Sequence, residues 1–493
     1  MPKPDAFSLT LLPALGGVPA YRWLYSALRN EILQGRLRPG TALPSTRNLG
    51  RQYALARGTI VNAYEQLKSE GYIKGTVGSG TRVSAVLPEE LLHVGPKQPT
   101  RQAKGSKARI LLSDYGRRAR LFSGSENQPT RAFRCNLPAL DLFPVELWAS
   151  TSSRCLRRIS ARLLMGCDPL GRLPLREALT EYLVRSRGVK CVPEQIAIVS
   201  GVQEGLDLVA RVLCNPGDRI GMEDPGYTGA ALVFESYGAR ISAVPTDDQG
   251  IRIDKLPRAG LRCVYVTPAH QFPLGTTMSL ARRLELLEWA HKSGAWIFED
   301  DYDSEFRYSG RPIPALQGLD DHERVIYAGS FSKVLFPALR LGYLVLPRNL
   351  LSSIEKVKSL TSRHAPTIDQ LVLEAFMREG HFGRHLRKMR TVYAERLSVL
   401  LDEAESRLAG LLEMSKIEAG LQTVGRLCPG ISAKAAVAAA ARRNVDVTPV
   451  SLYTRGRVTG ELLQLGFAAV DTREIRRGVR ELAAALESEK RVS

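Results

Sequence analysis

Five short apolar runs rich in β-branched residues, at 196–199, 220–222, 263–266, 296–298 and 325–327, recur between stretches of helical periodicity and turn residues. Strands alternating with helices pack as a largely parallel sheet with helices against its faces. From Ser113 to the end, the chain is therefore expected to form an α/β fold with a mostly parallel sheet, followed from about residue 355 by a small α+β subdomain. The 493 residues exceed what one compact core takes, at roughly 100 to 200 residues per domain. At least one further domain is expected in front.

The amino-terminal texture differs. Residues 1–84 read as short helices and a hairpin. Residues 85–112 carry Pro88, Pro96 and Pro99 among Lys97, Arg101, Lys104 and Lys107, with no periodicity, and are expected to be a flexible basic linker. The formal charge is +19, and residues 1–112 hold 16 Lys and Arg against 6 Asp and Glu. This basic end suits attraction to phosphates by counterion release, although charge alone does not separate that from a solvated surface.

Within the first 84 residues, Leu24, Leu28 and Ile32 recur at helical spacing before the break at Leu37-Arg38-Pro39-Gly40. Ser45 is a plausible N-cap for a second helix, and a third, from Arg57 to about Glu70, places Ile60, Tyr64 and Leu67 on one face. Two short helices joined by a tight turn fit a helix-turn-helix. Residues 72–83 then read as two strands around a glycine-rich tip, the form of a wing. In LRPGTALPSTRNLG, RGTIVNAYEQLKSEGYI and GSGTRV, at this order and spacing, the segment resembles the winged helix-turn-helix of the GntR superfamily. The resemblance implies a double-stranded DNA operator as partner, with Arg47, Arg57 and Thr59 at phosphates or base edges and Gly78 and Gly80 shaping the wing. The family usually has Ser before that Arg. Here Ala56 stands in its place and Gly58 follows, so the third helix starts without a cap.

A second group of motifs lies in the α/β region. Ser330-Phe331-Ser332-Lys333, with Arg340 seven residues on, follows the run at 325–327. A lysine amine can condense with an aldehyde while Ser330, Ser332 and Arg340 neutralise a phosphate. Alone, such a lysine is more often a surface charge. Glu299-Asp300-Asp301-Tyr302 ends another strand: a carboxylate there, Asp300 or alternatively Asp301, can keep a pyridine nitrogen protonated, and Tyr302 can bond a ring hydroxyl. Gly201, Val202 and Gln203 open a helix whose amides can face a phosphate, and Tyr227 can stack on a ring.

Together these segments resemble the fold-type I aminotransferase superfamily, and with the amino-terminal module they resemble MocR-type regulators. That resemblance implies pyridoxal 5'-phosphate as cofactor, Lys333 as the residue that binds it, a homodimer, and transcription controlled by the cofactor or by a small amine or amino-acid effector. Two departures bear on function. Phe272 stands where aminotransferases often have Asn, which removes one hydrogen bond to the ring hydroxyl. The arginine that grips a substrate carboxylate is open among Arg426, Arg455 and Arg457.

Other classes are excluded or left aside. Apolar runs such as 435–441 are far shorter than a membrane span. No secretion signal is read in residues 1–10, so a cytoplasmic location is expected. The seven cysteines, never spaced as CxxC, argue against a disulfide framework or a zinc site. A working aminotransferase, moving an amino group between an amino acid and a 2-oxo acid, is the alternative to a regulator. A decarboxylase or lyase would need the same Lys and Asp.

Overall fold

The computed structural model describes residues 11, 18–76, 80–86, 111–120, 129–308, 314–415, 417–456 and 460–490. They divide into two compact units, one up to residue 110 and the other from 111. Most of the expected linker (87–110), the wing glycine Gly78 and Arg457 lie outside the described residues.

In the first unit, helices Ala20–Leu33, Thr46–Gln52 and Arg57–Ser69 precede an antiparallel hairpin of β1 (Ile73–Thr76) and β2 (Gly80–Val83), with Ile73 opposite Val83. Leu24, Leu28 and Ile32 form the buried stripe of the first helix and share a core with Leu49, Ile60, Ala63 and Leu67. Ser45 Oγ accepts from the Asn48 amide at 3.2 Å and caps the second helix. Ala56 begins the third with no side-chain cap.

The second unit is built on an eight-stranded sheet. Its strands are β3 (Ile196–Val199), β4 (Arg219–Asp224), β5 (Arg240–Asp247), β6 (Gly250–Ile251), β7 (Leu261–Val266), β8 (Trp296–Asp301), β9 (Val325–Ser330) and β10 (Gly342–Val345), in the order β3-β10-β9-β8-β7-β4-β5-β6. From β9 to β5 all neighbours are parallel. Strand β10 is antiparallel to both β3 and β9, so β3 runs in the same direction as β9. The fold is thus α/β with a mostly parallel sheet, and β3, β4, β7, β8 and β9 end on one edge, where open α/β sheets place their ligands. Alternation along each strand feeds two cores: Ile196 and Ile198 enter one, Ala197 and Val199 the other.

Helices Arg348–Thr361, Thr367–Arg378 and His381–Arg407 lead to a four-stranded antiparallel sheet of β11 (Leu412–Met414), β12 (Gln422–Leu427), β13 (Thr448–Pro449) and β14 (Leu462–Gly466), ordered β11-β12-β14-β13. Residues from far upstream join this subdomain, because Ala132 bridges Val445 and Phe133 bridges Gly466. Among the described residues, no helix is long and apolar enough to cross a membrane.

Candidate functional site

Strand β8 ends in three consecutive acids, and side-chain alternation decides what each does. Glu299 accepts the Leu316 and Gln317 amides at 2.8 Å each, which anchors the start of helix Leu316–Leu319. Asp301 accepts from Arg187 Nε at 2.9 Å and from the Tyr327 hydroxyl at 2.6 Å, forming a buried ion pair. Asp300 accepts from the Tyr265 hydroxyl at 2.6 Å through Oδ2, while its Oδ1 is buried with no hydrogen-bond partner among the described residues. Asp301 Oδ1 is likewise buried without a hydrogen-bond partner, but Asp301 is committed to the Arg187 guanidinium, whereas Asp300, the first choice from sequence, makes no ion pair among the described residues. Burial pushes its carboxyl up to about 7, against the opposing influence of the Tyr265 hydrogen bond and the Lys333 charge.

Lys333 lies three residues beyond β9 and is half-buried. Its Nζ donates to the Asn136 carbonyl at 2.6 Å, and the Asn136 amide donates to Gln422 Oε1 at 3.1 Å. A single peptide segment therefore connects the lysine to β12 of the C-terminal subdomain.

The neighbouring strand ends form a compact cradle. In register, Gly342 lies opposite both Val199 and Ser330, which brings the end of β3 close to the end of β9. Gly201 has φ of +95°, a conformation open to glycine, and caps helix Val202–Leu213. Arg340 donates from Nη2 to the Ser200 carbonyl at 3.0 Å, and a Cβ on Gly201 would lie 3.5 Å from that same nitrogen. A helix start, a bare glycine and a guanidinium converge there, as an anion requires. The Ser330 hydroxyl accepts the Ser332 amide at 3.1 Å. Behind the cradle, Glu204 accepts the Ser200 amide and pairs with the fully buried Lys358 at 2.7 Å. Gln203 accepts from the Tyr227 hydroxyl at 3.4 Å.

Aromatic groups line the rest. Phe272 is buried, with Tyr227, Tyr302 and Tyr453 packed edge-on around it at centroid distances of 5.8, 6.0 and 4.8 Å. It presents no polar group where an asparagine would. The Tyr302 hydroxyl lies 3.0 Å from His270 Nδ1. Glu223 at the end of β4 accepts from the Thr267 hydroxyl at 2.7 Å, and burial pushes its carboxyl up to about 7.

The structure thus gathers Asp300, Tyr302, Tyr227, Gly201, Val202, Gln203, Ser330, Ser332, Lys333 and Arg340 at the carboxyl ends of the strands. Of the carboxylate-binding candidates, Arg455 is held by Glu235 at 2.7 and 2.8 Å, and Arg426 is exposed on β12. Sequence reasoning gave no role to Tyr265, Glu223, His270, Asp303 or Asn136. The Asn136 contribution is a main-chain carbonyl and has no signature in residue type.

On the first unit, Arg47 and Arg57 are exposed and make no ion pair among the described residues. Thr59 is half-buried, and Gly80, with φ of +83°, opens β2. Arg57 begins the second helix of the helix-turn-helix, the position from which a major groove is read.

Comparison with known proteins agrees with both halves. Residues 147–482 match the family of aminotransferase class I and II, which is pyridoxal-phosphate dependent, and residues 20–83 match the bacterial regulatory proteins of the gntR family. The chain is 37% identical to the probable rhizopine catabolism regulatory protein MocR of Rhizobium meliloti, over 95% of this chain and 94% of that one. It is 30% identical to the pyridoxine biosynthesis transcriptional regulator PdxR of Corynebacterium glutamicum, over 94% and 95%. The crystal structure of the multiple substrate aminotransferase of Thermococcus profundus superimposes with a TM-score of 0.69 at 30% identity, covering 76% of this chain and 98% of that one. The chain belongs to the aminotransferase class I and II family, among the HTH-type transcriptional regulators that carry a gntR-family module ahead of that domain.

Proposed function

We propose that this regulator binds operator DNA through its helix-turn-helix and holds pyridoxal 5'-phosphate on Lys333, and that the cofactor or a small amine or amino acid reaching it controls transcription from a homodimer. The observation that carries this reading is the buried Asp300 carboxyl at the end of β8, which has an unpartnered Oδ1 and no ion pair among the described residues, unlike Asp301 beside it. An orphaned carboxylate oxygen in a protein interior is costly unless a ligand completes it, and a protonated pyridine nitrogen is the complement it lacks. The lysine amine and the Gly201–Arg340 cradle suit the aldehyde and the phosphate of the same molecule.

Bound there, pyridoxal phosphate supplies an aldehyde for amines and a ring that withdraws electrons. The chain's own residues do the rest. Lys333 holds the aldehyde carbon, Asp300 keeps a proton on the ring nitrogen, Arg340 and the helix start at Gly201 neutralise the phosphate, and Tyr227 and Phe272 exclude water. In the first unit, Arg47, Arg57 and Thr59 engage phosphates or base edges, with Gly80 at the start of β2 shaping the wing.

The completeness of these residues also favours a second reading, that the domain turns over as an aminotransferase. Operator footprinting with and without pyridoxal phosphate and amino acids, beside turnover assays on the same preparation, separates the two. Ligand-dependent protection supports the regulator. Turnover on the order of 1 to 1000 per second with unaltered footprints supports the enzyme.

A further inference from the structure

His270 and Asp303 are not accounted for by the reading above, yet they form the most buried polar pair near Tyr302. We propose that they are positioning residues that fix the proton of Tyr302, so that its hydroxyl donates into the cofactor site and not back to the imidazole. The inference rests on the cofactor reading above.

Both Asp303 oxygens lie 3.0 Å from His270 Nδ1, and the Leu421 amide donates to Oδ2 at 3.3 Å. Both side chains are about 1% exposed. In the proposed arrangement Asp303 is the acceptor, as it is for the Leu421 amide, and Nδ1 carries the hydrogen between the two side chains. A protonated Nδ1 has no lone pair to offer. The Tyr302 oxygen, 3.0 Å from the same nitrogen, can therefore only accept there, and its own hydrogen must point elsewhere. Phe272, packed edge-on against the Tyr302 ring at 6.0 Å, has no lone pair to accept that hydrogen.

The pair is held from above. Gly420 has φ of +95°, and a Cβ there would lie 2.0 Å from His270 Cε1 and 2.8 Å from Asp303 Oδ2, so only glycine lets this segment close over the two. Its amide donates to the Phe306 carbonyl at 2.9 Å, and its carbonyl accepts from the Tyr308 hydroxyl. The titratable groups that face Tyr302 are Asp303, Asp300 and Glu223, all of which oppose its ionisation, together with His270; Lys333 faces Asp300 and Cys135.

The test is a pH titration of the visible band of full-length protein loaded with pyridoxal phosphate. A donor to the cofactor's ring oxygen stabilises negative charge there and so lowers the pH at which the chromophore releases its proton; removing the donor raises the midpoint. His270→Phe removes the Nδ1–H that polarises the Tyr302 hydroxyl, so the bond this hydroxyl donates weakens and the midpoint is expected to rise, by less than in Tyr302→Phe. Tyr302→Phe should move it the same way, and the double variant no further than Tyr302→Phe alone. His270→Asn, whose amide N–H replaces the Nδ1 donor, should restore the wild-type midpoint. Asp303→Asn keeps the volume of the pair while offering Nδ1 a donor, which frees Tyr302 to turn back, and should raise the midpoint even if His270→Phe does not fold. An unchanged or lowered midpoint in Asp303→Asn, or additive shifts in the double variant, overturns this inference alone. A wild-type protein with no titrating band overturns the cofactor reading along with it.

Discussion

The Tyr265 hydroxyl donates to Asp300 at 2.6 Å and occupies one carboxylate oxygen only, leaving the other buried and unmatched among the described residues. One hydrogen bond does not offset burial, and the carboxyl holds its proton to about pH 7. In the unfolded chain an aspartate releases it near 4. Between these values the folded, cofactor-free protein binds more protons than the unfolded one, so its stability falls as pH rises through that window and levels off above it. Glu223 and Glu299, both pushed up to about 7 by burial, act in the same direction. The slope is about 1.4 kcal/mol per pH unit for each group. Asp300→Asn is expected to flatten the fall, read as urea midpoints of cofactor-free protein from pH 4.5 to 8; an unchanged slope would place the titration elsewhere.

Lys333→Ala is expected to abolish the visible absorption of cofactor-loaded protein and its fixation to the chain by borohydride. The neighbouring serines and Arg340 retain the phosphate contacts, so some reversible binding survives. A band that persisted and could still be fixed would assign the role to another lysine.

Arg57→Ala is expected to weaken operator binding and to lower the slope of log affinity against log salt by about one, since roughly 0.9 counterions are released per phosphate neutralised. A gel-shift series across salt concentration gives both numbers. Parallel lines for the two proteins would mean that Arg57 does not touch DNA.

Lys358 is fully buried against Glu204, which also accepts the Ser200 amide. Lys358→Met leaves a buried carboxylate without its cation, and the expected loss is about 3 to 5 kcal/mol of unfolding free energy. Lys358→Met with Glu204→Gln should recover part of it, because no charge is then stranded. Denaturant titration of the three proteins decides.

Ala56 occupies an N-cap position with extended backbone, φ of −60° and ψ of 140°, and offers no side-chain acceptor. Ala56→Ser should stabilise the first unit by about 0.5 to 2 kcal/mol, visible as a shift of its thermal transition.

Much of the frame was legible because the physics is local. The runs at 196–199, 220–222, 263–266, 296–298 and 325–327 all lie in strands, and Leu24, Leu28 and Ile32 are all buried. What escaped was long-range. Nothing in Glu299-Asp300-Asp301 says which acid faces which way until the register of β8 against β9 is fixed, with Asp300 opposite Ala328. His270 and Asp303 are 33 residues apart and meet only through tertiary packing. The short strands β6 and β13, of two residues each, carry too little pattern to be read from sequence.

One acceptor that holds Lys333 is the carbonyl of Asn136, whose φ of +64° suits asparagine or glycine better than most residues. A carbonyl of the main chain belongs to no side chain, so no single codon change deletes it. Point substitutions at 136 can distort this tether but not erase it, and random mutagenesis screens for altered response will pass over a contact that restrains the reactive amine. Only a change in the path of the chain, by insertion, deletion or an ester in place of the amide, addresses it directly.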